Sequence, residues 1–540
     1  MTAGRNPRKA PRQICAGLGA LSLIMLTACA GGGGNANGGS TSSSSSSSSS
    51  ATSSSSSSAA NQTLTVAVTG PPVSMDPSHA DNGNGLYPME LTYEPLIWEN
   101  DNGSLSPGLA TSWKYVGTGN KEFELTIRTG VKFADGEAVT PQAVANSLNY
   151  FPKGSGPSTA DLAGVTATVT GANTVTVTSK TPDPVFPQLF SQDYLAGDII
   201  SPKGLANPKS LTATPSGAGP YVLDSAATVA DEQYTFTPNP NYYDPARIHY
   251  SKIVIKVITQ PTAELSALQT GQINLMFGES QQVDAAKSAG LQIQYSGAAA
   301  WDGIFLMDRD GKIVKPLANV LVRQALNYAV DRPAIANAVF GVLGKADDQP
   351  VTPGWDEYVP SLANYYSYNV TKAKQLLAQA GYPHGFTMNL EYAALEAQTQ
   401  EMVQAFAQEM SAIGVTVTLK AEPTITALAS DLSSAKYSAV SLEWGGQPMF
   451  LQVGECWLPT SVLNPFHAAT PDFISQFDAA TGAPPSQVNA DMAKLAAVTV
   501  QDAYTVPIAE IQSVEFASPG LQGLPTQAPG GHLNLVSLSG

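Results

Sequence analysis

From residue 30 to residue 60 the chain consists almost entirely of Gly, Ser, Asn, Thr and Ala. A segment of that composition buries too little apolar surface to offset the entropy lost on ordering it. It cannot belong to a packed domain. As a random coil its 31 residues extend roughly 30 Å on average. The chain is thereby divided into a short leader and a body of 480 residues, 61 to 540, and only the body is expected to fold.

The leader has its own logic. Arg5, Arg8, Lys9 and Arg12 precede an apolar stretch from Ile14 to Leu26 that is too short to span a bilayer as a stable helix. Small residues follow, which is the order of a secretory signal peptide over residues 1 to 28. The stretch ends in Leu26-Thr27-Ala28-Cys29, which resembles the lipobox of bacterial lipoproteins. That resemblance implies a diacylated Cys29 as the mature N-terminus, on a tether covering residues 29 to 60. Two acyl chains suffice for stable anchoring. The plainer alternative is an ordinary signal peptide with an incidental cysteine. The expected location is the extracytoplasmic face of a bacterial membrane, with no transmembrane span after residue 30.

The body is long enough for two or three domains with real cores. All four basic residues of the leader lack acidic counterparts there. Of 27 basic and 43 acidic residues in the whole chain, 23 and 43 therefore remain, a net charge of −20. Such a balance argues against nucleic acid and against direct adsorption on an anionic bilayer. Once Cys15 leaves with the leader and Cys29 takes lipid, Cys456 stands alone. No disulfide can form within the body, and stability must come from packing. Cys456 itself is expected to be a buried small hydrophobe and not a reactive thiol.

Hydrophobic periodicity gives the body an α/β character. Leu64, Val66 and Val68 alternate as in a half-buried strand, and Phe123 to Arg128 do likewise. Thr140-Pro141 supplies an N-cap and a first-turn proline for a helix carrying Val144, Leu148 and Phe151. Residues 165 to 179 read as a hairpin, 233 to 237 and 253 to 258 as strands, and 261 to 270 as a helix closed by Gly271. Beyond residue 300, helices alternate with strands. Helices are expected at 316 to 330, after Asp331, after Thr371 as cap with Gly381 at its end, and at 397 to 412 before Gly414. Strands are expected at 386 to 392, 415 to 420 and 437 to 442. Such alternation implies a mixed or parallel sheet covered on both faces.

Taken in order, a series of motifs resembles family 5 of the extracellular solute-binding proteins, the peptide- and nickel-binding group. The series begins with Ser74-Met75-Asp76-Pro77, Tyr93-Glu94-Pro95-Leu96-Ile97 and Pro107-Gly108-Leu109-Ala110-Thr111-Ser112-Trp113. It continues through Gly130-Val131-Lys132-Phe133-Ala134-Asp135-Gly136, Gly217-Ala218-Gly219-Pro220-Tyr221, Asn239-Pro240-Asn241-Tyr242-Tyr243 and Ala267-Leu268-Gln269-Thr270-Gly271. In the C-terminal half, Val322 to Arg332 and Lys372 to Tyr382 match closely. The resemblance covers residues 62 to 520. It implies a two-lobed periplasmic-binding-protein fold of type II with an extra subdomain in the first lobe, closing about a hinge. The expected division is 61–88, 200–299 and 513–540 for lobe one, 89–199 for its extra subdomain, and 300–512 for lobe two. The implied function is non-enzymatic capture of a di- or oligopeptide for import through the permease subunits of an ABC transporter, by a monomer without cofactor or metal.

Most of these motifs have plain structural readings. Gly108, Gly136 and Gly219 are expected at turns, Trp113 and Phe133 in the core, and Arg323 and Asp331 in orienting helices. Three places are expected to face ligand. The first is the loop carrying Asp81, Asn82, Gly83, Asn84 and Tyr87, which family members pair with peptide backbone. The second begins at Trp301. The third is Glu443-Trp444-Gly445-Gly446-Gln447, where two glycines would let a ligand approach the backbone. Here the chain departs from the family. Its peptide binders tend to carry an aspartate a few residues after this tryptophan, paired with the ligand's α-ammonium, and the matching position holds Gln447. Either Asp81 or Glu443 supplies that charge, or the ligand is not an ordinary free-amine peptide.

Other classes find little support. There is no Gly-x-Ser-x-Gly, His-Glu-x-x-His or phosphate-loop motif. His79, His249, His384, His467 and His532 are scattered without metal-ligand spacing. An oligosaccharide or a metal chelate on the same fold, a surface-anchored hydrolase, and a ligand sensor remain as alternatives.

Overall fold

Two long antiparallel strands, Gln292–Leu306 and Thr505–Ala517, run side by side through the middle of the molecule. The computed structural model describes residues 62–395, 397–526 and 528–540; the leader, Cys29 and the Gly/Ser segment lie outside these. Around the two strands the described residues build one sheet of eleven strands. On one side follow Ala439–Gly445, Thr387–Ala393 and Thr416–Glu422, the last two pairs parallel. On the other side follow Leu275–Phe277, Thr63–Val68, Lys252–Val257, Gln233–Pro238 and Tyr221–Leu223. Gly344–Ala346 also pairs with Thr505–Ala517. The sheet is mixed, as the alternation of elements implied.

The two crossing strands bury their ends in different cores, and this makes the molecule two-lobed. Val514 and Phe516 pack with Ala67, Leu268 and Met276. At the other end Ile304, Leu306, Val506 and Ile508 pack with Val322, Leu390 and Phe406. Between these ends the pairing slips three times, at Tyr295/Gly297, Ala298/Ala300 and Asp302/Gly303. Bulges bend and twist a strand pair locally, and Gly297 takes φ 115°, a value that side chains disfavour. This bulged stretch is where the chain crosses between the two cores. A separate four-stranded antiparallel sheet, Ala110–Val116, Glu122–Ile127, Thr174–Thr178 and Thr166–Val169, joins the core of the first lobe through Phe123, Leu125, Val175 and Val177.

The lobes touch. Asn120, held at φ 51°, donates its side-chain amide to the carbonyls of Thr481 (2.7 Å) and Ala483 (2.8 Å) in the second lobe. Leu451, on the second-lobe helix Met449–Cys456, is buried in the first lobe's core, and Phe450 packs against the cores of both. Among the described residues no helix is long and apolar enough to cross a membrane.

Local expectations fare well where a cap or period was clear. Thr140 caps Pro141–Tyr150 by accepting from Ala143, and Asp331 caps Arg332–Phe340 by accepting from Ala334. Arg323 braces its helix through the carbonyls of Leu317, Asp502 and Ala503. Cys456 is free and fully buried. Three details differ. The cap of Val370–Gln379 is Asn369, whose side chain accepts from Lys372 at 2.9 Å, not Thr371; asparagine is the stronger cap, and the helix starts earlier than its apolar face. The segment 316 to 330 is a 3₁₀ turn, Lys315–Ala318, followed by the helix Val320–Tyr328, because Asn319 caps at the junction. The strand expected at 437 to 442 runs from Ala439 to Gly445, so Glu443 and Trp444 are ladder residues.

Candidate functional site

The face between the lobes is assembled from four pieces of chain. The first-lobe loop after Asp76 is organised by its own side chains. Asp81 accepts from the backbone N–H of Gly83 (2.9 Å) and Gly85 (3.1 Å), so its carboxylate shapes the loop. Gly85 has to be glycine, because a Cβ there would lie 2.6 Å from the Asp81 carbonyl. Asn82 donates to Ser158 at 2.8 Å, tying the loop to the 3₁₀ turn Pro157–Leu162, while Asn84 lies against Gly70. The Tyr87 ring stacks on Phe277 and on His532, with centroids 4.9 and 5.8 Å apart.

The second piece is the ladder between Gln292–Leu306 and Ala439–Gly445. It sets Trp301 opposite Trp444 on one face and Asp302 opposite Glu443 on the other. Trp301 is 1% exposed and Trp444 5%, and both pack on Phe305 with centroids 4.7 and 5.8 Å away. The two tryptophans floor the second lobe within a core that includes Met449 and Trp457. Beyond the ladder, Gly446 donates to the Ala299 carbonyl at 2.7 Å, and a Cβ on it would come 2.6 Å from Thr352 Oγ1. A Cβ on Gly445 would meet open space.

The third piece escaped sequence reasoning. Gln447 donates its amide to Glu455 Oε2 at 2.6 Å. Burial pushes the Glu455 carboxyl up to about 7, with the Gln447 bond holding it back. From the first lobe Asp161, in the turn that Asn82 ties down, is held well above the usual carboxylate range by burial and then by the charges of Glu455 and Asp183. The charges of these two acids, one from each lobe, thus act on each other. Neither lies in a motif, and eight residues separate Gln447 from Glu455, so only the fold of Met449–Cys456 after Pro448 brings them together.

The fourth piece is the C-terminal segment. Ala528 donates to the Ser296 carbonyl at 2.8 Å, Gly531 lies against Ser513 and Ala299, and Gly530 lies against the Gly446 carbonyl. His532 then contacts Glu90 at 3.2 Å and Asp193 at 3.6 Å. Burial alone would lower its pKa, but the charges of Asp193 and Glu90 lift it to about 9, so it is an imidazolium at neutral pH. In the crossing strand, burial pushes Glu515 up to about 7, opposed by the Ser296 hydroxyl that donates to it.

The model of the bacterial extracellular solute-binding proteins, family 5 middle, matches residues 104–452, well over half of the 540-residue chain. The chain belongs to that family. This solute-binding protein is 26% identical over 356 residues to heme-binding protein A of Haemophilus influenzae, covering 61% of this chain and 63% of that one. It is 27% identical over 377 residues to the nickel-binding periplasmic protein of Escherichia coli, covering 65% and 70%. To the glutathione-binding protein GsiB of Escherichia coli it is 25% identical over 457 residues, covering 77% and 83%. Its fold is that of the murein tripeptide-binding protein MppA in an unliganded open form, with a TM-score of 0.74 at 22% identity, covering 89% of this chain and 97% of that one. HbpA2 of Haemophilus parasuis aligns with a TM-score of 0.76 at 19% identity, covering 88% and 99%. The family and the two-lobed fold implied by the motifs are thereby established for this solute-binding protein.

Proposed function

We propose that this protein is the lipid-anchored extracytoplasmic receptor of an ABC importer, a monomer that closes two lobes around a di- or oligopeptide and presents it to the permease subunits. In this reading residues 61–88, 200–299 and 513–540 form lobe one, 89–199 its extra subdomain and 300–512 lobe two. Cys29 carries the lipid. The observation that carries the proposal is the bulged pair of crossing strands, which joins two separately packed cores and leads straight into the Glu443–Gln447 strand end. A ligand can shift such a hinge only through contacts that the closed form makes and the open form lacks.

The loop Asp81–Tyr87 from one lobe and Gly445–Gln447 from the other are the backbone-rich surfaces suited to a peptide main chain. Trp301 and Trp444 support that surface from below. The charge lost at Gln447 is supplied by Glu455, with the charge of Asp161 acting on it from the first lobe, so the preferred guest presents a cationic group to this pair. Relatives named for glutathione and murein tripeptide favour a peptide. Isothermal titration with free-amine and N-acetylated di- to pentapeptides tests the reading. Saturable binding of the free-amine set without turnover is expected, and failure to bind any of them overturns it. A heme or nickel chelate is the second reading, favoured by the relatives named for those ligands; native mass spectrometry of protein from its own host separates the two. Labelling with a palmitate analogue, lost in Cys29→Ala, tests the anchor.

A further inference from the structure

Away from the cleft, the second lobe holds a cluster of three carboxylates that the solute-binding reading does not use. Glu391 lies in the strand Thr387–Ala393, Glu422 ends the neighbouring parallel strand, and Asp431 comes from the helix Ile425–Ser433 packed over them. One carboxylate oxygen of each lies within 4.8 Å of the other two. Among the described residues this is the one group of three or more potential ligands so arranged.

Crowded acids alone would mean little, but Glu391 is unusual. Its neighbours Leu390 and Tyr392 enter the main core of the lobe, which turns Glu391 to the opposite face, beneath the helix. It is 0% exposed, and neither of its carboxylate oxygens has a hydrogen-bond partner. A buried carboxylate without donors is costly unless it is neutralised by a proton or a cation. The nearby lysines do this only in part, acting on Glu391 through their charge and not through a bond. Lys420 pairs with Glu422 at 3.2 Å and Lys436 with Asp431 at 2.6 Å, both from exposed positions on the rim, and neither bonds Glu391.

We infer that Glu391, Glu422 and Asp431 form a binding site for a hard divalent cation, calcium above all. The donors are carboxylate oxygens only, with no imidazole or thiolate, the set that suits calcium and not nickel, copper or zinc. An ion about 2.4 Å from one oxygen of each acid requires those oxygens to lie within about 4.8 Å of one another, a condition they meet, with water completing the shell. The site fastens the helix Ile425–Ser433 to the two strands beneath it. Its purpose is structural, independent of what the cleft binds.

The test uses the full mature chain, stripped with EDTA and dialysed against radioactive calcium chloride. One calcium per chain is expected, with a Kd of about 10⁻⁴–10⁻³ M, typical of extracellular sites. Saturating calcium raises the thermal midpoint by about 2 °C or more over sodium chloride of equal ionic strength. Glu391→Gln raises the midpoint in EDTA, since a buried charge is gone, and abolishes the response to calcium. Should Glu391→Gln fail to fold, Asp431→Asn on the rim carries the comparison and weakens binding at least tenfold. The inference is overturned if the folded wild-type chain shows no saturable calcium binding, if sodium chloride reproduces the midpoint shift, or if calcium binding survives unchanged in either folded variant.

Discussion

Gln447 and Glu455 are joined by a 2.6 Å hydrogen bond across the turn from the last cleft strand into the helix Met449–Cys456. Gln447 is itself uncharged, and the acid it bonds, Glu455, sits near the end of the helix that follows. In the proposed peptide-binding reading, Glu455 is the carboxylate that meets a cationic group of the guest.

Glu455→Gln keeps the shape and removes the charge. Truncating one member of a buried charge pair typically costs about 2–5 kcal/mol. Titration calorimetry should show a loss of about 30-fold or more for free-amine peptides and little change for N-acetylated ones. Equal affinity of wild type and variant for both sets would remove Glu455 from the site.

Asn120 spans the lobes with two hydrogen bonds to carbonyls of residues 481 and 483. Asn120→Gly keeps the positive φ while deleting both bonds, each with a net contribution of about 0.5–1.5 kcal/mol. The closed form should be disfavoured by about 1–3 kcal/mol. Small-angle scattering is expected to report a larger radius of gyration for the variant than for wild type without ligand. Identical profiles would mean the bonds do not hold the lobes together.

Gly297 sits between two register slips of the crossing strands at φ 115°. Any side chain there is strained, by about 1–3 kcal/mol. Gly297→Ala should lower stability by that order and change the rate of lobe closure, read by stopped-flow tryptophan fluorescence. Unaltered stability would show that the bulge relaxes without cost.

Stability should fall as pH rises. Glu515 titrates at about 7 when folded against about 4.3 when unfolded, so the folded chain holds more protons between those values. Its contribution is complete below pH 4.3 and lost as pH rises through 7. His532 acts in the same sense higher up, stabilising fully below pH 6.5 and less as pH rises through about 9. Denaturant unfolding from pH 5 to 9 should show a steady decline, and Glu515→Gln should flatten its lower half by about 3 kcal/mol. A stability that rises with pH across that span would contradict the burial of both groups.

Much of the molecule was written locally. Thr140-Pro141, Asp331, Gly271, Gly381 and Gly414 marked helix ends because caps and left-handed turns depend on a residue and its nearest neighbours, and alternating Leu64, Val66 and Val68 marked a strand for the same reason. The ordered motifs were enough for the family and its two-lobed fold. What tertiary structure alone decided were meetings between residues far apart in the chain. The bulged crossing depends on a register between residues 292–306 and 505–517. The acids whose charges act on each other come from residues 161 and 455, the carboxylate cluster from 391, 422 and 431, and the partners of His532 from 90 and 193. Local propensity acts over a few residues and carries no information about such distances, whereas burial, charge and hydrogen bonding act on whatever the topology sets side by side.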